Sequence, residues 1–145
     1  MRIDLSTPVS EIMTSNVISV GPNDDLLSVK HFFTSTRMHH LPVTENKKMV
    51  GMISKSDFLA VSSDLGKVKR EVTNEEEFLK SHTASEIMVT GIAHLEPDSR
   101  INVAVSLFSL NYFHALPVFA NDELVGIVTT HDIIKYLDKQ DDAQH

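Results

Sequence analysis

Leu41-Pro42-Val43 occurs a second time in this chain, 75 residues later, as Leu116-Pro117-Val118. The same offset of 75 relates Ser10-Glu11-Ile12-Met13 to Ser85-Glu86-Ile87-Met88, with no insertion or deletion between the two motifs of either copy. Self-similarity at a fixed spacing is typical of a duplicated supersecondary unit, in which each copy covers apolar surface of the other. The sequence therefore predicts two copies of one fold.

The composition of the 145-residue chain is that of a globular protein, with 41% hydrophobic and 23% charged residues, and excludes disordered classes. The 0 cysteines exclude disulfide scaffolds, thiolate zinc sites and cysteine nucleophiles. The net charge of -7 disfavours nucleic-acid binding. The chain has no apolar run of ~18 residues and no start typical of a secretory signal. We therefore expect a soluble, cytoplasmic protein that binds no nucleic acid and no membrane.

Each copy is expected to contain the same elements, a short helical turn followed by the order β-α-β-β-α. Residues 22–25 supply turn and N-cap chemistry before the first long helix, and residues 97–99 do so in the second copy. The helices that follow have apolar residues at spacings of three and four, which buries one face of each, and the second such face is expected to reach Leu110. The closing helices are expected to bury Phe58, Leu59, Ile133, Ile134 and Leu137.

The predicted boundaries are 8–62 for the first copy, 63–82 for a linker, 83–138 for the second copy and 139–145 for a flexible C-terminal tail. One copy alone leaves a sheet face and its edges uncovered, so the two copies are expected to pack about an approximate twofold axis. The predicted fold class is α+β, with some α/β character, in one cooperative module.

A motif that contains candidate ligand-binding residues recurs where a strand is expected to end and a helix to begin. It has the form Gly, two hydrophobic residues, Ser or Thr, two further residues and Asp, at 51–57 and at 126–132. A helix start exposes unpaired backbone N–H groups with a partial positive charge, which attract phosphate oxygens. The hydroxyl groups of Ser54, Ser56 and Thr129 can add donors there.

The aspartates that close the motif have two alternative interpretations. Asp57 and Asp132 would lie in the first turn of a helix, where each carboxylate can accept two hydrogen bonds from the vicinal hydroxyls of a ribose. Ser-x-x-Asp and Thr-x-x-Asp are also the signature of plain helix capping. One aspartate can serve both purposes.

Taken together, the repeated motifs resemble a tandem pair of cystathionine-β-synthase (CBS) domains, the arrangement called a Bateman module. The resemblance rests on Ile12-Met13, Leu41-Pro42-Val43, 50–54 and 57–59, and on their counterparts Ile87-Met88, Leu116-Pro117-Val118, 125–129 and 132–134. It implies a regulatory module without a catalytic domain that binds AMP, ADP, ATP or S-adenosylmethionine in clefts between the two repeats. It also implies association of two modules into a disc-like homodimer.

The resemblance further implies which residues line each cleft. For the cleft at Asp132 they are Thr129, His131, Thr14, Val17, Ile18, Met38, His39 and His114. For the cleft at Asp57 they are Ser54, Ser56, His39, His40, Thr90, Ile92, Ala93, Phe113 and His114. The position before Leu-Pro-Val often carries a cation that reaches phosphate in this family, and it is His40 in the first copy but Ala115 in the second. The Asp57 cleft is therefore expected to be better equipped for phosphates.

Metal binding and catalysis have less support in the sequence. The chain has 8 histidines, but their spacing does not indicate a metal site. No arrangement of Ser, His and Asp indicates an activated nucleophile. We expect a non-enzymatic regulator that requires no cofactor, senses an adenine nucleotide (with Mg²⁺ in the case of ATP) and signals to an unidentified partner protein. A ligand-free dimerisation module and an S-adenosylmethionine sensor stay open as alternatives.

Overall fold

Two antiparallel β-hairpins, one in each copy of the repeat, organise the structure. This computed structural model describes residues 3–68 and 74–142. The strands are β1 (His40–Glu45), paired with β2 (Lys48–Ser54), and β3 (Ala115–Ala120), paired with β4 (Glu123–Thr129). Both hairpins shift register at the equivalent position in their first strand, so the two copies share even this irregularity.

Each hairpin turns on two residues in the left-handed region of backbone conformation. The angle φ is 53° at Asn46 and 66° at Lys47, and it is 52° at Asn121 and 64° at Asp122. Two consecutive residues of this kind are typical of the type I′ turn, whose twist matches that of the paired strands. Asparagine tolerates this conformation better than most residues. The two adjacent strands of the predicted β-α-β-β-α order therefore form a hairpin in each copy.

Five α-helices and two short 3₁₀ turns accompany the hairpins in the described residues. They are α1 (Leu26–Ser35), α2 (Lys55–Val68), α3 (Glu75–Ser81), α4 (Ile101–Ser109) and α5 (Thr130–Asp142), with 3₁₀ turns at Val9–Glu11 and Ala84–Glu86. The first strand predicted for each copy is reduced to one bridged residue, since Val20 pairs in parallel with Val43 and Leu95 with Val118. The α+β fold class is confirmed.

The chain divides into two compact units, and neither consists of one copy alone. The first-hairpin unit is Ile18–Ile92, and the second-hairpin unit is Met1–Val17 together with Ala93–His145. The N-terminal segment of the first copy thus belongs with the second hairpin. The boundaries 8–62 and 83–138 stay a prediction about the repeats in the sequence, because the compact units divide the chain elsewhere.

The core of the first-hairpin unit forms where α1, α2 and α3 pack together beside the hairpin. The ring of Phe33 in α1 lies 5.9 Å, between centroids, from the ring of Phe58 in α2. Leu79 of α3 is fully buried in the same cluster, and Nζ of Lys30 lies 3.6 Å from Oε1 of Glu75 at the start of α3. Helix α3, which falls in the predicted linker, is therefore part of this core.

The core of the second-hairpin unit depends on residues from the N-terminal segment. Val9 is fully buried in one cluster with Ile101 of α4 and with Leu116 and Val128 of the hairpin. The Val9 N–H also donates a hydrogen bond of 2.7 Å to the carbonyl of Ser99. Removal of the N-terminal segment would thus open the core of the unit that carries the second hairpin.

Three apolar residues that were expected to be buried are exposed, so these predictions are wrong. Leu59 is 53% exposed, Ile134 is 62% exposed and Leu110 is 55% exposed. Leu59 and Ile134 each follow a buried residue, Phe58 and Ile133, and one step along a helix turns a side chain by about 100°. They therefore point away from the single stripe that each helix buries. Leu110 lies at the C-cap of α4, beyond its last residue.

The two long helices after the N-terminal segments begin differently. Asp25 is the N-cap of α1, and its carboxylate accepts a hydrogen bond of 2.9 Å from the Ser28 N–H, as predicted. Arg100 holds the equivalent position before α4 and makes no capping hydrogen bond with its side chain. The hydroxyl of Ser99 instead accepts from the Glu96 N–H at 2.9 Å, so it fixes the preceding turn rather than the helix.

The predicted linker and tail contain more helix than expected. Helix α2 continues to Val68, within the linker 63–82. The same linker contains α3 (Glu75–Ser81), which the sequence predicts as a short helix near Glu75 to Leu79 with Asn74 as its cap. Helix α5 continues to Asp142, so residues 139–142 of the predicted tail 139–145 are helical. Residues 69–73 and 143–145 lie outside the described residues. Within the described part, none of the helices combines the length and the hydropathy that a bilayer crossing requires.

Candidate functional site

The junction between β4 and α5, in the second-hairpin unit, is held by a reciprocal pair of hydrogen bonds. The Thr129 N–H donates to Oδ2 of Asp132 at 2.9 Å, and the Asp132 N–H donates to Oγ1 of Thr129 at 3.2 Å. The Thr130 N–H donates to the carbonyl of His114 at 3.2 Å, which brings His114 to the same helix start. The capping interpretation of Thr-x-x-Asp is therefore correct in the second copy.

The junction between β2 and α2, in the first-hairpin unit, forms only half of this pattern. The Asp57 N–H donates to Oγ of Ser54 at 3.1 Å, and the hydroxyls of Ser54 and Ser56 lie 3.2 Å apart. The Lys55 N–H donates to the carbonyl of His39 at 2.8 Å, the equivalent of the His114 bond. No hydrogen bond to the Asp57 carboxylate is present among the described residues, and this side chain is exposed whereas Asp132 is half-buried.

One backbone N–H at each helix start is left without an acceptor in the described part of the chain. It belongs to Ser56 in α2 and to His131 in α5, the second residue of each helix. The N–H groups on either side of it are used by the hydrogen bonds to the histidine carbonyl and to the Ser or Thr hydroxyl. Each junction therefore presents one open donor at the positive end of a helix dipole.

A segment of the opposite copy is hydrogen-bonded to the strand that leads to each junction. Thr14 and Ile127 of β4 exchange backbone hydrogen bonds of 2.9 and 3.0 Å, and Val89 and Met52 of β2 exchange bonds of 2.8 and 2.9 Å. Ile127 and Met52 each lie two residues before the hydroxyl residue of the motif. The predicted residues Thr14 and Val17 therefore share a unit with Asp132, as Thr90 and Ile92 do with Asp57.

The remaining predicted site residues divide between the two units. The second-hairpin unit holds Thr14, Val17, Ala93, Phe113, His114, Thr129, His131 and Asp132. The first-hairpin unit holds Ile18, Met38, His39, His40, Ser54, Ser56, Asp57, Thr90 and Ile92. Ile18, Met38 and His39 are thus in a different unit from Asp132, and Ala93, Phe113 and His114 are in a different unit from Asp57. The assignment of these residues to shared clefts stays a prediction.

The glycine of the motif has a packing role that the sequence alone did not reveal. A β-carbon added at Gly51 would lie 2.5 Å from the sulfur of Met88, and one added at Gly126 would overlap the sulfur of Met13. The methionine recurs in both copies at the spacing of the repeat, which was the available signal. Glycine therefore allows the methionine to pack directly on the strand that ends at the junction.

The histidines near the two junctions have no arrangement that suits a metal. In residues 3–68 and 74–142, no three or more His, Asp or Glu side chains are placed to hold an ion together. Within the first-hairpin unit, His40 lies opposite Ser54 in the register of the hairpin, and in the second-hairpin unit Ala115 lies opposite Thr129. His40, which the second copy replaces with Ala115, is therefore next to Ser54, the hydroxyl residue of the β2–α2 junction.

The CBS domain family model matches two segments of this chain, residues 9–64 and 84–139. This chain belongs to the CBS domain family. Its two CBS domains, in tandem, form the pair called a Bateman module, which confirms the resemblance found in the sequence motifs.

Three solved structures have the fold of this Bateman module. AcuB from Vibrio cholerae superposes with a TM-score of 0.80 at 23% identity, over 97% of this chain and 98% of that one. CBSX2 in complex with AMP gives 0.75 at 20% identity, over 92% and 98%. The CBS domain pair of protein MJ0100, in complex with 5′-methylthioadenosine and S-adenosyl-L-methionine, gives 0.75 at 22% identity, over 92% and 98%. At these identities the similarity establishes the fold.

The curated relatives that match first are longer than this Bateman module. They are 26% to 28% identical to it over 132 to 144 residues, and the chain spans 44% or 45% of their length. The matched CBS pair is therefore less than half of each of these proteins.

Proposed function

We propose that this Bateman module is a non-catalytic regulator that binds an adenosine-containing ligand, with AMP, ADP or ATP preferred. The observation that carries the proposal is at the start of α2. There, among the described residues, the Asp57 carboxylate has no hydrogen-bond donor and the Ser56 N–H has no acceptor. A nucleotide has the complementary groups, since its ribose hydroxyls donate hydrogen bonds and its phosphate oxygens accept them.

The two ends of a nucleotide make different demands on this junction. A carboxylate that accepts from both vicinal hydroxyls of a ribose forms a charge-assisted, bidentate interaction. A phosphate oxygen gains from the Ser56 N–H, from the hydroxyls of Ser54 and Ser56 and from the helix dipole. His40, opposite Ser54, adds a cationic side chain when protonated. We therefore assign the phosphate to the hydroxyl side of the junction.

The two junctions are not equivalent under this proposal. Oδ2 of Asp132 already accepts from the Thr129 N–H, and Ala115 replaces the histidine there. Binding at Asp132 must use the other carboxylate oxygen or break the capping hydrogen bond. We propose that the Asp57 junction has the higher affinity for nucleotide. The residues that the family resemblance adds from the other unit remain part of the proposal.

Proteins of the same fold support the class of ligand. CBSX2 has been solved with AMP, and the CBS domain pair of MJ0100 with 5′-methylthioadenosine and S-adenosyl-L-methionine. All three ligands contain adenosine. The choice of a nucleotide over the sulfonium compound rests on the open donor at Ser56 and on His40. We propose further that binding changes the balance between two arrangements of the chain, which a partner protein recognises.

Isothermal titration calorimetry with AMP, with ATP in the presence and absence of Mg²⁺, and with S-adenosylmethionine tests this proposal. We expect micromolar binding of a nucleotide that Asp57→Ala weakens by at least about tenfold, because a hydrogen bond to a charged group contributes about 1.5–3 kcal/mol. Asp138→Ala, which removes an exposed carboxylate late in α5, is the matched control and should leave the affinity unchanged. If no ligand gives a measurable heat of binding, or if both variants change the affinity equally, the proposal is overturned.

The second candidate function, dimerisation without a ligand, is favoured by two exposed side chains. Leu59 and Ile134 occupy equivalent positions in α2 and α5 and are 53% and 62% exposed. Large apolar side chains at a surface often mark an interface. Sedimentation analysis of the wild type and of Leu59→Lys with Ile134→Lys distinguishes the two candidates: a concentration-dependent dimer that the substitutions abolish, together with no response to nucleotide, supports this one.

A further inference from the structure

The second-hairpin unit has a surface depression that none of the functions above uses. Its volume is about 390 Å³, and it lies between the residues before α4 and the turn of the β3–β4 hairpin. The lining residues on which the argument rests are His94, Glu96, Asp98, Phe119, Asn121 and Asp122. We call this depression the acidic pocket. Its size is at the lower end of the roughly 300–1,000 Å³ found for small-molecule sites.

One wall of the acidic pocket is a pair of stacked rings. The imidazole of His94 and the ring of Phe119 have centroids 4.6 Å apart and planes 20° from parallel. The face of an aromatic ring attracts a cation through its quadrupole, and a planar cation can also stack on it. This wall therefore suits a flat, positively charged group.

The charge of the acidic pocket points to the same kind of ligand. Glu96, Asp98 and Asp122 are all exposed carboxylates, and none of them takes part in the ion pairs present in residues 3–68 and 74–142. No three acidic or histidine side chains of the described residues converge on one ion, which argues against a metal. Carboxylates spread around a depression of this size suit an organic cation.

The rings and the charges that line the acidic pocket are particular to the second copy. At the same place in the first-hairpin unit, the hydroxyls of Ser19 and Thr44 form a hydrogen bond of 2.9 Å where His94 and Phe119 stack. Asn23 corresponds to Asp98 and Lys47 corresponds to Asp122. The fold therefore forms without the rings or the charges, so a structural requirement of the repeat does not explain them.

We propose that the acidic pocket binds the guanidinium group of an arginine side chain on a partner protein. Guanidinium is planar, stacks on aromatic faces and forms two parallel hydrogen bonds to a carboxylate. The ammonium group of lysine has no plane that could stack and does not form this pair of parallel hydrogen bonds. The net charge of -7 attracts a basic partner at longer range. This inference does not depend on the adenosine proposal, since the pocket lies within one unit and contains neither Asp57 nor Asp132.

Two-dimensional NMR titrations of the full chain with small probes test the chemistry directly. The probe is N-acetyl-arginine amide, which carries the side chain as it occurs within a peptide. N-acetyl-citrulline amide is its uncharged isostere, and N-acetyl-lysine amide carries the charge without the plane. We expect saturable shifts of the backbone amides of residues 94–98 and 119–122 with the arginine probe, with a roughly millimolar dissociation constant, and none with citrulline. Tighter binding of free arginine than of the amide would contradict a protein partner.

Two double variants separate the contribution of the rings from that of the charges. His94→Ser with Phe119→Thr reproduces the Ser19 and Thr44 pair and should weaken binding of the arginine probe by about two- to fivefold, the size of an exposed cation–π contribution. Asp98→Asn with Asp122→Asn removes two charges and should weaken binding of the arginine probe more than the first double variant does. The control, Glu45→Gln with Asp138→Asn, removes two exposed charges elsewhere and should leave the affinity unchanged. No saturable shifts in the wild type, or equal losses in the control, would overturn the proposal.

Discussion

The side chain of Met13 lies directly on Gly126, so that a β-carbon at this glycine would overlap the thioether sulfur. The relationship recurs between Met88 and Gly51, where the added carbon would lie 2.5 Å from the sulfur. In each case a methionine that precedes one hairpin in the sequence packs on the strand of the other. The two contacts fix the segments that flank each junction, and they have a measurable consequence.

Gly126→Ala and Gly51→Ala should each lower the free energy of unfolding by about 1–3 kcal/mol, because the methionine must move from a tightly packed position. Urea denaturation monitored by circular dichroism measures this change. Gly21→Ala is the matched control, since its β-carbon would have only ordinary contacts, the nearest at 3.5 Å from Asp24. If Gly21→Ala lowers the free energy of unfolding as much as Gly126→Ala does, the methionine contact is not the cause of the destabilisation.

Asp132→Ala should destabilise the ligand-free protein more than Asp57→Ala. Asp132 accepts the hydrogen bond of the Thr129 N–H, whereas the Asp57 carboxylate has no such partner among the described residues. Loss of a capping interaction costs about 1 kcal/mol, and loss of a favourable charge near a helix start only a few tenths. Urea unfolding of the two variants without nucleotide measures the difference. Equal destabilisation would show that both carboxylates cap their helices in solution.

Ser62→Ala should stabilise the protein. The Oγ atom of Ser62 in α2 is buried and has no hydrogen-bond partner among the described residues. A buried polar group without a partner costs about 1–3 kcal/mol, so its removal should raise the melting temperature. Alanine also favours helix more than serine by a few tenths of a kcal/mol, and Ser106→Ala, at an exposed position of α4, measures that contribution alone. If Ser62→Ala raises the melting temperature no more than Ser106→Ala does, a bound water satisfies the Ser62 hydroxyl.

The free energy of unfolding should fall at acidic pH, in part because the carboxylate of Glu86 becomes protonated. The Thr83 N–H donates to its carboxylate, and His82 lies 3.3 Å from it; in that order these interactions lower the pKa of Glu86 below 4.5. A lowered pKa in the folded state means a stabilising contribution that is present above pH 4.5 and lost as the pH falls through the folded-state value.

Glu86→Gln should therefore reduce the difference in unfolding free energy between neutral pH and roughly pH 3.5. Chemical denaturation at the two pH values measures it. Glu77→Gln, at an exposed position of α3, serves as the control and should leave the difference unchanged. A pH dependence identical in both variants would assign the acid sensitivity to other carboxylates.

The sequence predicted those features that depend on neighbours along the chain. The hairpins followed from pairs of short β-rich runs joined at Asn46 and at Asn121, and the α1 cap followed from Asp25. Features that depend on three-dimensional packing were missed. Leu59 and Ile134 are apolar and adjacent to buried residues, and their exposure is decided by which helix stripe the hairpin covers.

The same limit applied to the candidate site. The motif predicted equivalent roles for Asp57 and Asp132, but only hydrogen-bond distances show that one carboxylate closes a capping pair. The acidic pocket was missed because His94 and Phe119 are 25 residues apart (119 − 94) and belong to no recognisable motif. Comparison of the two copies, position by position, was the available signal, since His94 replaces a serine and Phe119 a threonine.

The attachment of the N-terminal segment to the second hairpin determines how the protein can be divided. A chain cut between residues 68 and 74 would give two fragments, and neither would contain a whole compact unit. The N-terminal fragment would keep Val9 but lack the core that buries it, and the C-terminal fragment would keep Val89 but lack the strand to which it is hydrogen-bonded. Each fragment would remain unfolded alone, and a mixture of the two would recover the native structure by complementation.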